Sequence, residues 1–495
     1  MAAEWVAELL SGRLRRDDPL SLSRQLCQLL RSAMLDGRIP AGSRLPSSRW
    51  LATELKLARN TVLEVYDQLL AEGYLDTRRG AGSFVLESLR PSLAHQPLPA
   101  QLGLSARGQA VLACGLSARG QAVLACGPTP AGLHGAFAPG VPALEAFPRQ
   151  AWQRALNRHS RQAPDHWLGY QAQGGLPVLR EALAAYLGQS RGVRCSADQV
   201  LITGGAQQAL DWLARLLADP GDVAWVEDPG YLGARTALTA AGLQLCPLPV
   251  DAAGLNPAAA PAHAPSPRLI YVTPSHQYPC GAVMPLARRQ ALLAHADACG
   301  AWIIEDDYDS EFRYASQPVA ALQGLAASAR VMYVGTLSKV MFPGLRLGYL
   351  VVPDALIDAF RRASWHLARE GHYPVQAALA DFIASGQLAR HIRRMRELYL
   401  SRQHHLRQAV QQRLGDTLPL SGGEAGMHLL AHLPSEVDDQ ALAQQGWQRH
   451  RLILRPLSAH SLAALPPRGW LLGYAGVAEA EITRAVDAMA VLLGQ

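Results

Sequence analysis

Lys339 is the residue through which this sequence could do covalent chemistry. It stands in VMYVGTLSKVMFPGLRLGYLVV, between an apolar run and a loop that carries an arginine. The chain has 46 basic side chains, and only Lys56 and Lys339 are lysines. A guanidinium keeps its proton in a protein, whereas an ammonium can release one and become a nucleophilic amine. A chain that uses Arg for nearly every cation makes its lysines candidates for work that Arg cannot do. Near Lys339, Thr336, Ser338 and Arg346 could gather an anion with hydroxyls and a fork of N–H donors. Upstream, WIIEDDYDSEF sets two acids and Tyr308 at the end of an apolar run. Carboxylates at the C-terminal end of a buried strand sit where α/β folds receive ligands. In VLITGGAQQALDWLARLL, Gly205, Ala206 and Gln207 open a helix after a glycine turn, leaving backbone N–H groups for an anion. WVEDPGYLGAR adds Tyr231 just past another strand-like run.

An amine, a carboxylate, an aromatic face and an anion cup match an aldehyde, a ring nitrogen, a ring and a phosphate. Those are the groups of pyridoxal phosphate (PLP). Positioning them needs an α/β scaffold, and residues 136–495 alternate apolar β-like runs with amphipathic helical stretches. Residues 87–135 are rich in Pro, Gly and Ala, as in a flexible linker. That linker holds a tandem repeat: Gly103–Cys114 reads GLSARGQAVLAC, and Gly115–Cys126 repeats it unchanged. Two copies are too few for a solenoid, and the added length is expected to be functionally neutral.

The chain has 495 residues, a net charge of +6 and 17% charged residues, which excludes wholesale disorder. No apolar run reaches the ~18–20 residues of a membrane span. The seven cysteines show no CxxC or metal-ligand spacing and read as reduced thiols. A cytoplasmic protein that binds neither metal nor membrane is expected.

Residues 1–86 form a separate, charge-rich module. Leu22, Leu26, Leu29, Leu30 and Ala33 recur at helical spacing, and DGRIPAG stops that helix. LPSSRWLATEL starts a second helix after Pro46, with Ser47 or Ser48 as cap. ARNTVLEVYDQLLAEG makes a third, with Val62, Val65, Tyr66, Leu69 and Leu70 on one face. YLDTRRGAGSFV reads as two short strands around a turn. Three helices and a hairpin make a winged helix-turn-helix for double-stranded DNA. Arg59, Asn60 and Thr61 open the recognition helix and suit base edges. Arg44, Ser47, Ser48 and Arg49 suit phosphates, and Arg78, Arg79 and Gly80 of the wing suit the adjacent backbone or minor groove.

The stretch LPSSRWLATELKLARNTVLEVYDQLLAEGYLDTRRGAGSFV closely resembles the GntR-type winged helix. From about residue 137 to 490 the chain looks like a fold-type I aminotransferase. The resemblance rests on GYQAQGGLPVLREALAAYL, TPSHQYPCGAVMPLARR, EDDYDSEFRY, GTLSKVMFPGLRLGY and HIRRMRELY. Joined in this order, the modules resemble the MocR/GabR-type transcriptional regulators. The resemblance implies an α/β chain with a large PLP-dependent transferase domain of fold type I, built on a mainly parallel sheet.

It also implies roles. Lys339 would hold PLP as a Schiff base, Asp306 would pair with the ring nitrogen, Tyr308 would bond the ring hydroxyl and Tyr231 would stack on the ring. Ala206, Gln207, Thr336, Ser338 and Arg346 would hold the phosphate. Asp307 replaces Asp306 if the register slips by one. Two departures stand out. Tyr278-Pro279-Cys280-Gly281 replaces the usual NPTG, and Leu471 stands where many aminotransferases carry a carboxylate-binding Arg. The effector is then an amine without that carboxylate, a compound held by Arg235 or Arg455, or PLP itself. The expected function is a homodimeric PLP-dependent regulator that senses an amino compound, with a working aminotransferase as the alternative.

Overall fold

The computed structural model describes residues 6, 9–10, 12–15, 20–78, 82–86, 117–126, 135–171, 174–261, 263–314, 320–326, 330–369 and 371–495. The chain divides into two compact units, Met1–Gly115 and Leu116–Gln495.

In the first unit, α1 (Leu22–Leu35), α2 (Ser48–Glu54) and α3 (Arg59–Ala71) precede a hairpin of β1 (Leu75–Arg78) and β2 (Gly82–Val85). Ser47 caps α2, its hydroxyl accepting from Trp50 N at 3.3 Å. Leu26, Leu30, Leu51, Val62, Val65 and Leu69 are buried in one cluster. Leu70, expected on the same face, is 38% exposed. The i, i+3, i+7 stripe through Val62, Val65 and Leu69 turns it outward. The Tyr66 hydroxyl donates to Pro46 O at 2.9 Å and ties α3 to the start of α2.

The second unit begins with a difference from the linker expectation. Part of the second dodecapeptide copy forms α4 (Ala118–Ala125), capped by Ser117, whose hydroxyl accepts from Gly120 N at 3.1 Å. A helix this short is marginal alone. It packs on α7 (Leu232–Ala241), with Arg119 beside Gly242. Tertiary contact therefore overrides linker composition here. The first copy lies outside the described residues.

Among the described residues, the large domain is built on an eight-stranded sheet in the order β3-β10-β9-β8-β7-β4-β5-β6. The strands are β3 (Val200–Thr203), β4 (Val223–Asp228), β5 (Gln244–Asp251), β6 (Gly254–Leu255), β7 (Leu269–Val272), β8 (Trp302–Asp307), β9 (Val331–Thr336) and β10 (Gly348–Val351). Ladders β9–β8–β7–β4–β5 are parallel, and β10 runs antiparallel to both β3 and β9. Strands β3, β7, β9 and β10 are buried at every position, as strands of a sheet covered on both faces are. Leu201, Met332, Val334 and Leu350 pack on one face, with α6 (Ala206–Leu217) and α7. Ile202, Tyr333, Tyr349 and Val351 pack on the other, with α5 (Pro177–Arg191) and α8 (Gln387–Arg413). A smaller sheet combines β11 (Leu420–Ser421), β12 (His428–His432), β13 (Arg455–Pro456) and β14 (Gly469–Gly473) in the order β11-β12-β14-β13.

Strand β10 needs its glycine. A Cβ at Gly348 would lie 2.8 Å from Gly205 Cα and 2.9 Å from Gly335 O, both backbone atoms that cannot swing aside. Gly348→Ala is expected to destabilise the large domain by about 1–3 kcal/mol, the usual cost of overpacking. Urea unfolding followed by near-ultraviolet dichroism measures it.

Candidate functional site

The C-terminal ends of β3, β4, β7, β8 and β9 open on one side of the sheet. The segments that leave them enclose a cavity of about 250 Å³. It is lined by all of the residues expected at a cofactor site: Ala206 and Gln207, Tyr231, Asp306 and Tyr308, and Thr336, Ser338, Lys339 and Arg346.

Lys339 lies in the loop that carries β9 into β10, and its Nζ donates to Gly140 O at 2.9 Å. A Cβ at Gly140 would come within 2.6 Å of that Nζ, and Gly140 has φ +70°. Burial holds the amine below its ordinary pKa, opposed by the charges of Asp309 and Asp306. That bias favours the neutral, nucleophilic form.

Strand alternation separates the two candidate acids. Asp306 faces the cavity, where its Oδ2 accepts from the Tyr271 hydroxyl at 2.8 Å. Its Oδ1 is buried without a hydrogen-bond partner. Burial pushes this carboxyl up to about 7, against the Tyr271 bond. Asp307 points to the opposite face and binds Arg191 Nε at 2.7 Å and the Tyr333 hydroxyl at 2.6 Å. Although burial opposes it, Arg191 leads the groups that hold the Asp307 carboxyl low. The orphaned Oδ1 fits a cationic ring N–H, which would satisfy it and favour the carboxylate.

An anion cup lies at the start of α6. Gly205 has φ +108°, and no side chain caps that helix. The first-turn N–H groups of Ala206 and Gln207 border the cavity, while the Gln207 side chain is tied to Gly233 O at 2.9 Å. A Cβ at Gly205 would lie 3.6 Å from the Arg346 guanidinium, so arginine and helix terminus converge. Ser338 N donates to Thr336 Oγ1 at 3.2 Å, which orients that hydroxyl. These donors and Lys339 fit a phosphorylated ring aldehyde.

Tyr231 stands at the N-cap of α7, its ring lying across Gly233, where a Cβ would meet Cζ at 2.4 Å. Tyr278, the residue in place of the NPTG asparagine, sits edge-to-face with Tyr231 and Tyr308, each 5.7 Å away between centroids. Glu227 braces this segment by accepting from Thr273 Oγ1 at 2.6 Å, and Thr273 Oγ1 in turn accepts from Tyr278 N at 3.0 Å.

Sequence reasoning missed Gly140, Tyr271, Thr273, Asp309 and His428, which line the same cavity. It also missed His276, buried against Tyr308 and Asp309. Asp309 and His276 stood in the EDDYDSEFRY and TPSHQYPCG phrases, but nothing local marked them. Leu471 is fully buried with Leu430 and Leu457. Arg455 lies opposite it on the neighbouring strand.

On the first unit, Arg44, Ser47, Arg49, Arg59 and Asn60 are exposed, and Ser48 and Thr61 half-buried. Arg44 bridges to Phe84 of β2, and its guanidinium lies along Gly82. Helix α3 has no side-chain cap, so its first turn keeps free N–H groups. Lys56 is exposed in the turn between α2 and α3, at φ 53°. Arg79 and Gly80 lie outside the described residues.

Residues 140–489 match the aminotransferase class I and II family, and residues 22–85 match the gntR family of bacterial regulatory proteins. The chain is 42% identical over 473 residues to the probable rhizopine catabolism regulatory protein MocR of Rhizobium meliloti, covering 94% of this chain and 92% of that protein. It is 34% identical over 438 residues to the pyridoxine biosynthesis transcriptional regulator PdxR of Corynebacterium glutamicum, covering 88% of each. Among solved structures, a Pyrococcus horikoshii kynurenine aminotransferase in complex with PMP aligns with a TM-score of 0.67 at 26% identity. It covers 72% of this chain and 90% of its own.

The two acids are expected to respond in opposite ways in cofactor-free protein. Asp307→Asn breaks a buried ion pair and should cost about 3–5 kcal/mol. For Asp306 the folded-state pKa is raised to about 7, so the unfolded chain loses this proton first, near pH 4. Stability is full below that point and falls as pH rises toward 7. Asp306→Asn should therefore gain about 1–3 kcal/mol at pH 8 and nothing near pH 4. Denaturant titrations at both pH values measure both effects.

Proposed function

The chain belongs to the MocR-type regulators, in which a gntR-family head is joined to an aminotransferase class I and II domain, and from that premise we propose a PLP-dependent transcriptional regulator that senses an amino compound or PLP through Lys339. The observation that carries the cofactor assignment is the buried, unpartnered Asp306 Oδ1 in one cavity with the Lys339 amine. When bound, PLP supplies an electrophilic aldehyde and an electron-withdrawing ring. Lys339 would hold the aldehyde, Asp306 would keep the ring nitrogen protonated, Tyr231 would cover the ring, and Tyr308 would bond its hydroxyl. Ala206, Gln207, Thr336, Ser338 and Arg346 neutralise the phosphate.

An effector amine would compete with Lys339 for that aldehyde and leave a buried Lys339 amine that burial biases toward its neutral form. Effector binding thereby gains a differential free energy between two arrangements of the protein. Arg455 supports a carboxylate-bearing effector. It borders an adjoining cavity of about 820 Å³ shared with Gly140, Lys339 and Arg346. Burial lowers its pKa, and an anion would restore it. The regulator works as a homodimer whose paired heads read repeated half-sites. In each head, Arg59, Asn60 and Thr61 read bases, while Arg44, Ser47, Ser48, Arg49, Arg79 and Gly80 hold the backbone. The alternative, a working aminotransferase, is supported by the intact Lys339, Asp306 and Tyr308 set. The apolar burial of Leu471 argues against efficient turnover of α-amino acids.

PLP-loaded protein is expected to show a visible absorption band that Lys339→Ala lacks. A band with no turnover of amino donors and keto acids supports the regulator, robust turnover supports the enzyme, and no band overturns both. On the DNA side, Arg49→Ala should weaken binding to operator and unrelated DNA alike and lower the salt-dependence slope by about one, read by fluorescence anisotropy.

A further inference from the structure

His276 is 2% exposed and has no part in the cofactor contacts above. Its Nδ1 lies 3.0 and 3.1 Å from the two Asp309 carboxylate oxygens and 2.8 Å from the Tyr308 hydroxyl. The ring sits in a fitted seat. A Cβ at Gly426 would approach its Cε1 to 1.9 Å, and one at Gly281 would lie 3.4 Å from Nε2. Turning the ring over would put a carbon against both oxygen groups and strip each of this contact. The other imidazole near it is that of His428, 5.2 Å away between centroids. His428 gives its Nε2–H to Pro279 O at 3.0 Å, and burial keeps it neutral.

One ring nitrogen cannot both donate and accept. A carboxylate only accepts, so a bare Nδ1 would set its lone pair against Asp309. It would also draw the Tyr308 proton to itself. With the hydrogen on Nδ1, the bond to Asp309 is made and the Tyr308 proton must point elsewhere. Tyr308 and Asp309 both line the Lys339 cavity. The Nε2 left without a partner is then a lone pair, which is less costly to bury than an N–H.

We infer that Asp309 holds His276 as an Nδ1–H donor and so releases the Tyr308 proton toward the cofactor's ring hydroxyl, making His276 a positioning residue that acts through Tyr308. The inference rests on the PLP reading. A hydrogen bond to an ionised oxygen moves a coupled proton equilibrium by about one to two units, roughly tenfold to a hundredfold in proton affinity.

The test is a pH titration of the visible absorbance of PLP-loaded full-length protein. Tyr308→Phe removes a donor that stabilises the ionised ring oxygen, so the midpoint should rise by about one unit, tenfold in proton affinity. His276→Leu should raise it in the same direction by about half a unit or more, roughly threefold. In the Tyr308→Phe background it should add nothing. His276→Asn keeps an N–H at the Nδ1 position and should keep the wild-type midpoint, whereas His276→Gln should behave like His276→Leu. Where the Leu variant does not fold, the Asn and Gln pair carries the comparison. An unmoved midpoint in His276→Leu and His276→Gln, or an equal shift with and without Tyr308, overturns the inference and leaves the PLP reading intact. Absence of a band from wild-type protein overturns the PLP reading and this inference with it.

Discussion

Asp307 accepts from Arg191 Nε and the Tyr333 hydroxyl on the face of β8 that turns away from the cavity. Arg191 also donates to Ser275 Oγ at 2.6 Å, which ties the end of β8 to the segment leaving β7. This buried pair sets how the last residues of β8 are held, and a strand alternates its side chains. Fixing Asp307 on one face therefore fixes Asp306 on the other. The chain builds one acid into its framework through Arg191 and Tyr333, and beside it leaves another whose unpartnered Oδ1 belongs to a residue lining the cavity. The first is stabilised by its partners, and the second is a standing cost that a ligand can remove.

Clearance is the second requirement. Lys339, Tyr231, Arg346 and His276 each approach a glycine: Gly140, Gly233, Gly205 and Gly426 respectively. At Gly140, Gly205 and Gly426 the backbone also has a positive φ that other residues rarely adopt. Removing side chains at these points lets long polar groups reach the cavity. The same crowding buries these groups, and burial is why Lys339 is pushed down while Asp306 and Glu227 are pushed up. A small cavity dense in titratable groups suits a sensor.

The DNA-binding unit and the large domain each have a hydrophobic core of their own. The head is the part most completely readable from local pattern, because short helices and a hairpin are made of near-neighbour contacts. A serine cap on α2, the stripe through Val62, Val65 and Leu69 and the β1–β2 hairpin follow from spacing, whereas the choice of Ser47 over Ser48 and the exposure of Leu70 do not. The helix Ala118–Ala125 does not. Its composition reads as tether, and only the surface of α7 gives it a reason to form.

The sequence by itself determined the two-module order, the α/β class of the large domain, and eight of the nine residues expected to surround a phosphorylated ring. Apolar period, turn residues and family phrases are properties of short stretches and survive without coordinates. It left Asp306 and Asp307 open, since alternation says that neighbours part but not which face meets the cavity. Tertiary structure decided that point through Arg191, 116 residues away in the chain. It also brought Gly140 to Lys339 across 199 residues and His276 to Asp309 across 33. Such pairings leave no periodic trace, because they depend on which strand ends the sheet order sets side by side.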